Sequence, residues 1–481
     1  MHQWLAPLLR GLERWRRLPG VNETTVYQPD LLYMKGRLQE GGTLHVGADG
    51  RILEPGAVPE GAHVIRLPGR VLLPGLVNGH SHAFQRLIRG RTEYVAAGHG
   101  TDDFWSWREA MYRAAESLTP EEVYTSSRQA FLEMVLAGIT AVGEFHYLHH
   151  QPDGTPYEDR NELARAVIRA ARDVGLRIVL LRVGYARAGF RVPENPRQRR
   201  FIEPDVDMFL AAVAELARTT RGDSAVTVGL APHSVRAVPK EWLTVLAGVR
   251  TDMPVHMHVA EQLREVEVCL AEHGRRPVEL LEELGVLETR FTAVHAVHVT
   301  EDEARMLGEV SAGVCACPST ERNLGDGILA ADMLAGQGVR LSLGSDSQAL
   351  VDLLDEARQL EGHLRLRRLR RAVMDPGTGA VDGLGVRLLE LATVNGARSL
   401  GLNTGTLEPG TPADFFTVDL NHPSLVGASP TSLLSGIVLG TDKAAVRDVA
   451  VDGKFVVRDG LHPRAEETGR AFHTLARRLY P

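Results

Sequence analysis

Eight apolar, β-rich runs that alternate with helical patterns constrain this chain more than any other feature. The runs are Val71–Val77, Ile139–Phe145, Leu176–Val183, Ala225–Ala231, Pro254–Val259, Phe291–Val297, Gly313–Cys317 and Val339–Gly344. Helical spacing of apolar residues fills segments between them, such as Asn161–Val174, Val206–Ala217, Leu263–His273 and Glu301–Gly308. Near-continuous apolar strands joined by helices indicate a parallel sheet buried on both faces. Eight such units are what closes a (β/α)₈ TIM-type barrel. A doubly wound open sheet is the alternative, but it needs no eightfold repeat, and the first run lacks the Gly-rich phosphate turn that often opens that fold.

The chain ends read differently. Thr25–Tyr27, Leu31–Lys35, Thr43–Val46 and Arg51–Leu53 are short strand candidates, with Asp49-Gly50 as a tight hairpin turn. The β pattern returns from about Gly405, in Ala413–Leu420 and Ala445–Val457, with Asp452-Gly453 as a second hairpin turn. The class expected is therefore α/β: a barrel over 71–403 and a small β-sandwich domain built from both chain ends, 21–70 and 404–481. Residues 1–20 stand apart as an amphipathic, Arg-rich extension in which Leu5, Leu8, Leu9, Leu12 and Trp15 recur at helical spacing. This extension lacks the unbroken apolar core and cleavage site of a signal peptide.

Bulk properties exclude several functions. A net charge of -7 argues against nucleic acid or other polyanions as partners. No apolar run reaches membrane-spanning length. Cys269, Cys315 and Cys317 are read as buried free thiols of a reducing compartment. The expectation is a cytoplasmic homodimer acting on a small molecule, with no membrane partner.

In barrel enzymes the chemistry sits at the C-terminal strand ends. Here the first run leads into His80-Ser81-His82, whose histidines face the same side because strand residues alternate. The second run ends Glu144-Phe145-His146-Tyr147, and the fourth leads into His233-Ser234-Val235-Arg236. The fifth carries His256-Met257-His258 and then Glu261, the sixth ends His295-Ala296-Val297-His298, and the eighth leads to Asp346. A two-metal hydrolase of this architecture often bridges its ions with a lysine from the fourth strand. The only lysine between the first and eighth strands is Lys240, well beyond the fourth strand end. One metal per chain is therefore expected, held by His80, His82, His258 and Asp346. Three imidazoles and a carboxylate suit Zn²⁺, and these donors also admit Fe²⁺. Glu261, three residues past His258, is placed to shuttle a proton without ligating the ion. His295 is read as orienting or polarising the attacking water. His256 and His298 are read as supporting residues, and His146, His149 and His150 as polar loop residues.

With these residues in view, the chain resembles the mononuclear deaminase branch of the amidohydrolase superfamily. Within it the chain is similar to the formimidoylglutamate deiminases of histidine degradation. The resemblance rests on His80–Arg86, Phe104–Glu109, Glu144–His149, His256–Gln262 and Cys317–Gly327. It implies hydrolysis of N-formimino-L-glutamate to N-formyl-L-glutamate and ammonia. By similarity Arg108, Arg236 and Tyr147 hold the two substrate carboxylates, since Arg suits bidentate carboxylate binding. Gln85 and His233 contact the formimidoyl head, and Arg86, Arg89 and Arg91 are alternative cations. The resemblance also implies metal-assisted attack by water, with Asp346 and His295 orienting it and Glu261 protonating the terminal nitrogen. The nearest rival is a deaminase of the same branch acting on guanine or an adenosine-type compound.

Overall fold

The computed structural model describes residues 24–95, 102–193, 195–249 and 251–480. The expected extension over residues 1–20 lies outside these. Eight parallel strands follow one another in sequence order: β1 (Leu76–Ser81), β2 (Ile139–His146), β3 (Arg177–Gly184), β4 (Val226–Pro232), β5 (Val255–Val259), β6 (Phe291–His295), β7 (Gly313–Ala316) and β8 (Arg340–Leu343). Nearly all their side chains are buried, as a sheet covered on both faces requires. The eight-run alternation in the sequence is thus the barrel itself.

Two seams in the ladder are looser than the rest. β4 and β5 share one paired position, Leu230 with Val255, and the contact resumes beyond the end of β4, at Ser234 and His258. β8 and β1 are bridged past the end of β8, where the Asp346 N–H donates to the His80 carbonyl at 3.0 Å and the His82 N–H to the Asp346 carbonyl at 3.0 Å. Gly344 permits this closure, because a Cβ there would lie 2.8 Å from the His80 Cβ. All four expected metal ligands sit at these two seams.

The chain ends form a seven-stranded mixed sheet with its own small core of Tyr27, Leu72, Phe415 and Phe455 among others. Its strands interleave both ends: His63–Pro74 pairs in parallel with Thr25–Met34 and antiparallel with Phe415–Asp419. Both expected hairpin turns occur, at Gly50 and between Val451 and Lys454. The run read as one strand, Val71–Val77, is two. Its first half ends the long strand of the outer sheet, and its second half opens the barrel. Gly75 divides them: its N–H donates to the Asp414 carbonyl at 2.9 Å, and a Cβ there would lie 2.2 Å from Thr140 Oγ1. The boundary drawn at residue 71 therefore moves to Gly75. Among the described residues no helix is long and apolar enough to cross a membrane.

Candidate active site

The site is built at the C-terminal mouth of the barrel, on β1, β5, β6 and the turn after β8. His80 and His82 share a face of β1, as their spacing requires. Their Nε2 atoms lie 3.2 Å apart, and the Nε2 of His258 is 3.2 Å from that of His80 and 3.4 Å from that of His82. Asp346 Oδ1 is 3.4 Å from His80 Nε2 and 3.3 Å from His82 Nε2. All four residues are buried.

Carbonyl acceptors fix two of the rings. His82 donates through Nδ1 to the Phe145 carbonyl at 2.8 Å, and His258 through Nδ1 to the His233 carbonyl at 3.1 Å. Each is thereby left with a bare Nε2 lone pair aimed at the others. Burial pushes all three imidazoles down, His80 to about 3, so they stay neutral. Two such lone pairs converging on the His80 Nε2, with the Asp346 carboxylate beside them, fit a cation among them. The spacing matches: zinc–ligand distances of about 2.0–2.1 Å in a tetrahedron put ligand atoms about 3.3–3.4 Å apart. The residues present thus fit a divalent ion. Lys240 is exposed at the start of the helix Lys240–Ala247 and does not approach the site.

Glu261 and His295 stand beside this group, where the sequence placed them. His295 Nε2 is 3.6 Å from Glu261 Oε1 and 3.7 Å from Asp346 Oδ2. Backbone strain aims these side chains. His295 has φ +70°, Ala296 +53°, Ala260 +50° and Asp346 +42°, in the left-handed region that non-glycine residues seldom occupy and that costs of order 1–3 kcal/mol each. Desolvation pushes Glu261 up to about 7. His295 is raised well above its ordinary value despite its burial, because Glu261, Glu321 and Asp346 all favour its charged form. Asp346 is held below the usual carboxylate range by the histidines around it, which outweigh its burial.

The pocket beyond these groups is an open cleft of about 510 Å³, solvent-facing space included, and Gln85, Arg108, Tyr147, His233 and Arg236 all line it. Arg108 comes from the helix Phe104–Ala115, whose N-terminus Asp103 caps by accepting from the N–H groups of Trp105 and Ser106. Its guanidinium lies 4.6 Å from the Trp105 ring centre. The Nε and Nη1 atoms of both Arg108 and Arg236 are buried and have no partner among the described residues. Gln85 donates to the Tyr147 hydroxyl at 2.8 Å, and its Oε1 is buried without a partner.

The alternative cations are engaged elsewhere. Arg86 and Arg89 both bind Glu133, at 2.7 and 2.6 Å, and Arg91 stacks on Tyr480 at 4.1 Å. His256 donates to the Ser399 carbonyl at 2.7 Å and stays out of the site, as expected. The His298 N–H donates to the Ala260 carbonyl. The reading of His146, His149 and His150 as polar loop residues is corrected. All three are buried; His149 donates to the Val183 carbonyl at 2.8 Å and His150 to that of Ile202 at 2.9 Å, because the segment after β3 folds back over them.

Three groups were not anticipated from the sequence. Glu321 Oε1 accepts from the Cys317 N–H at 2.8 Å and faces His295 Nδ1 at 3.4 Å, so it backs the ring from the side opposite Glu261. Glu144 accepts from Ser81 Oγ at 2.6 Å and from the Ala83 N–H at 2.7 Å, clamping the turn between the first ligands and Gln85; burial pushes it up to about 8. Tyr185 enters the pocket from the end of β3. Glu321 and Glu144 lie inside motifs that carried the resemblance, but no spacing rule marks either as a partner.

Comparison with known proteins agrees with this arrangement. A family model described as "Amidohydrolase family" matches residues 71–456. Formimidoylglutamate deiminase of Pseudomonas aeruginosa is 41% identical over 431 residues, 89% of this chain and 93% of that protein. The 8-oxoguanine deaminase of the same organism is 31% identical, over 92% of this chain and 95% of that protein. A crystal structure described as an amidohydrolase from Brucella melitensis superposes with a TM-score of 0.86 at 35% identity, covering 95% of this chain and all of that one. An eight-stranded barrel with three imidazoles and a carboxylate meeting at its seams, matched over this length, means that the chain belongs to the amidohydrolase family.

Proposed function

We propose that this protein hydrolyses N-formimino-L-glutamate to N-formyl-L-glutamate and ammonia, a step of histidine breakdown, with one Zn²⁺ held by His80, His82, His258 and Asp346. The observation that carries the substrate assignment is that Arg108 and Arg236 each hold buried Nε and Nη1 atoms without a hydrogen-bond partner among the described residues, in the pocket that ends on the candidate metal ligands. Buried cations without partners are costly unless an anion completes them. A small amidine carrying two carboxylates is such an anion. The 41% identical relative, named for this activity, supports the same reading.

A divalent ion at the three histidines and Asp346 supplies the acidity that turns water into a nucleophile near neutral pH. The chain's own residues do the rest. Asp346, held ionised, accepts a hydrogen bond or proton from the attacking water through its free oxygen. His295, held protonated by the carboxylates around it, donates towards the reacting centre. Glu261 keeps a proton near neutral pH and delivers it to the terminal formimidoyl nitrogen, which leaves as ammonia. The C–N bond to glutamate survives because Arg108 and Arg236 fix the carboxylates and so present only the terminal nitrogen to Glu261. Gln85 Oε1, unpartnered and facing the pocket, accepts from the amidine.

A purine deaminase is the second reading. It is favoured by the aromatic residues Phe104, Trp107 and Tyr147 in the pocket wall and by the 8-oxoguanine deaminase relative. Ammonia release measured with N-formimino-L-glutamate, guanine and S-adenosylhomocysteine separates the two. Turnover of the first alone is expected; turnover of a purine alone overturns the assignment.

A further inference from the structure

Tyr112 and Tyr185 line the same pocket as Arg108 and Arg236, and both are buried. Tyr112 is one helical turn beyond Arg108, whose guanidinium lies 5.5 Å from the tyrosine ring centre. Behind the two phenols stands Gln198, buried on the short turn Pro196–Gln198. Its amide nitrogen donates to both hydroxyl oxygens, at 2.9 Å to Tyr112 and 2.5 Å to Tyr185.

Hydrogen-bond accounting then decides what the hydroxyls can do. A phenol gives one hydrogen and accepts through its oxygen. Gln198 occupies accepting positions on both oxygens and takes neither hydrogen. Both oxygens sit on the same amide nitrogen, so the two phenols can spend at most one hydrogen between them. At least one O–H is left to donate, and the pocket is the open side. The unpartnered Nε and Nη1 atoms of Arg108 and Arg236 are donors in the same pocket. A cluster of two arginines with unpartnered N–H groups and at least one free phenol O–H fits an anion with several lone pairs, and a carboxylate has about four.

Gln198 sits in a segment tied down on several sides. Arg200 donates to the carbonyls of Ala115, Leu118 and His150, and Arg197 pairs with Glu109 at 2.9 Å. These contacts hold the glutamine against the helix that carries Arg108 and Tyr112.

We propose that Tyr112 and Tyr185, set by Gln198, bind one of the two substrate carboxylates alongside Arg108 and Arg236. They thereby select a dicarboxylate over a monoacid. The inference rests on the N-formimino-L-glutamate reading. Gln198 is a positioning residue, acting through the two phenols.

The test compares wild type with Tyr112→Phe, Tyr185→Phe and Gln198→Glu. The substrates are N-formimino-L-glutamate and two monoacid analogues, N-formimino-4-aminobutyrate and N-formimino-L-2-aminobutyrate, which lack the α- and γ-carboxylate respectively. Removing a hydrogen bond to a charged group corresponds to about a ten-fold loss or more. That loss is expected in at least one Phe variant and mainly in KM. For the analogue that lacks the carboxylate in question it should shrink below about two-fold. Gln198→Glu exchanges a donor for an acceptor of the same shape and draws the phenol hydrogens away from the pocket, so it should reproduce the KM loss at a similar melting temperature. Calorimetric binding of N-formyl-L-glutamate gives the same comparison without turnover. Equal effects on all three substrates, or no effect in either Phe variant, overturn the proposal. Wild-type turnover of N-formimino-L-glutamate tests the underlying reading separately.

Discussion

Replacing Glu321 by glutamine tests whether the group behind His295 matters to the reaction. Glu321 Oε1 serves two donors at once, the Cys317 N–H at 2.8 Å and His295 Nδ1 at 3.4 Å. Glutamine keeps an oxygen for Cys317 but loses the negative charge that helps hold His295 protonated. A hydrogen bond to a charged group is worth about 1.5–3 kcal/mol, and the 3.4 Å separation puts this one at the low end. A loss of about 1.5 kcal/mol is roughly ten-fold in rate. Glu321→Gln should therefore lower kcat for ammonia release about ten-fold, with KM and bound metal little altered. Glu321→Ala should lose the same activity and, by leaving the Cys317 N–H buried and unpaired, a further about 1–3 kcal/mol of stability. Steady-state kinetics, metal analysis and urea unfolding on both variants separate the two effects. A kcat within two-fold of wild type in Glu321→Gln, with metal retained, would show that His295 needs no support from this side.

Chelation followed by dialysis should abolish ammonia release, and stoichiometric Zn²⁺ should restore it; residual full activity in protein shown to be metal-free would refute the ligand assignment. The same treatment should lower the melting temperature, since an ion that binds only the folded state stabilises it. Glu261→Gln should reduce turnover by 10² or more at unchanged metal content, which metal analysis beside single-turnover kinetics will check. A pH dependence of stability follows from His256, whose burial pushes it from 6.5 to about 4. A folded-state value below the unfolded one means that the unfolded chain binds the extra proton first, so this contribution is complete above about pH 6.5 and is lost as pH falls towards 4, amounting to about 3 kcal/mol. His256→Gln, which keeps a donor for the Ser399 carbonyl, should flatten the slope of unfolding free energy between those pH values, and an unchanged slope would contradict the assignment.

The barrel was legible because its determinants are periodic. A strand buried on both faces must be apolar along its length, and eight such runs with helices between them leave few other arrangements. The candidate ligands were legible for a related reason. Position at a strand end fixes which face a side chain takes, so His80, His82, His258 and Asp346 could be brought together on paper, and the structure places their donor atoms within 3.2–3.4 Å in every measured pair. The split of Val71–Val77 at Gly75 was not legible, because both halves are apolar and only their pairing partners differ.

What the sequence alone could not decide is which polar groups are free. Arg86, Arg89, Arg91, Arg108 and Arg236 are chemically alike, and all flank the strand ends. Glu133, on the helix Pro120–Leu136, consumes the first two, and Tyr480, near the end of the chain, covers the third. Of these five, Arg108 and Arg236 line the pocket and hold buried donors without a partner among the described residues, whereas the one such atom of Arg89, Nη2, lies outside the pocket lining. The same holds for Glu321 behind His295 and for Gln198 behind Tyr112 and Tyr185. Their partners are 13 to 86 residues away along the chain, and no local period encodes such a contact. Composition and periodicity therefore determined the barrel and the donor atoms at its mouth, while tertiary packing, which satisfies some cations and hydroxyls and leaves others open, decided what the pocket can bind.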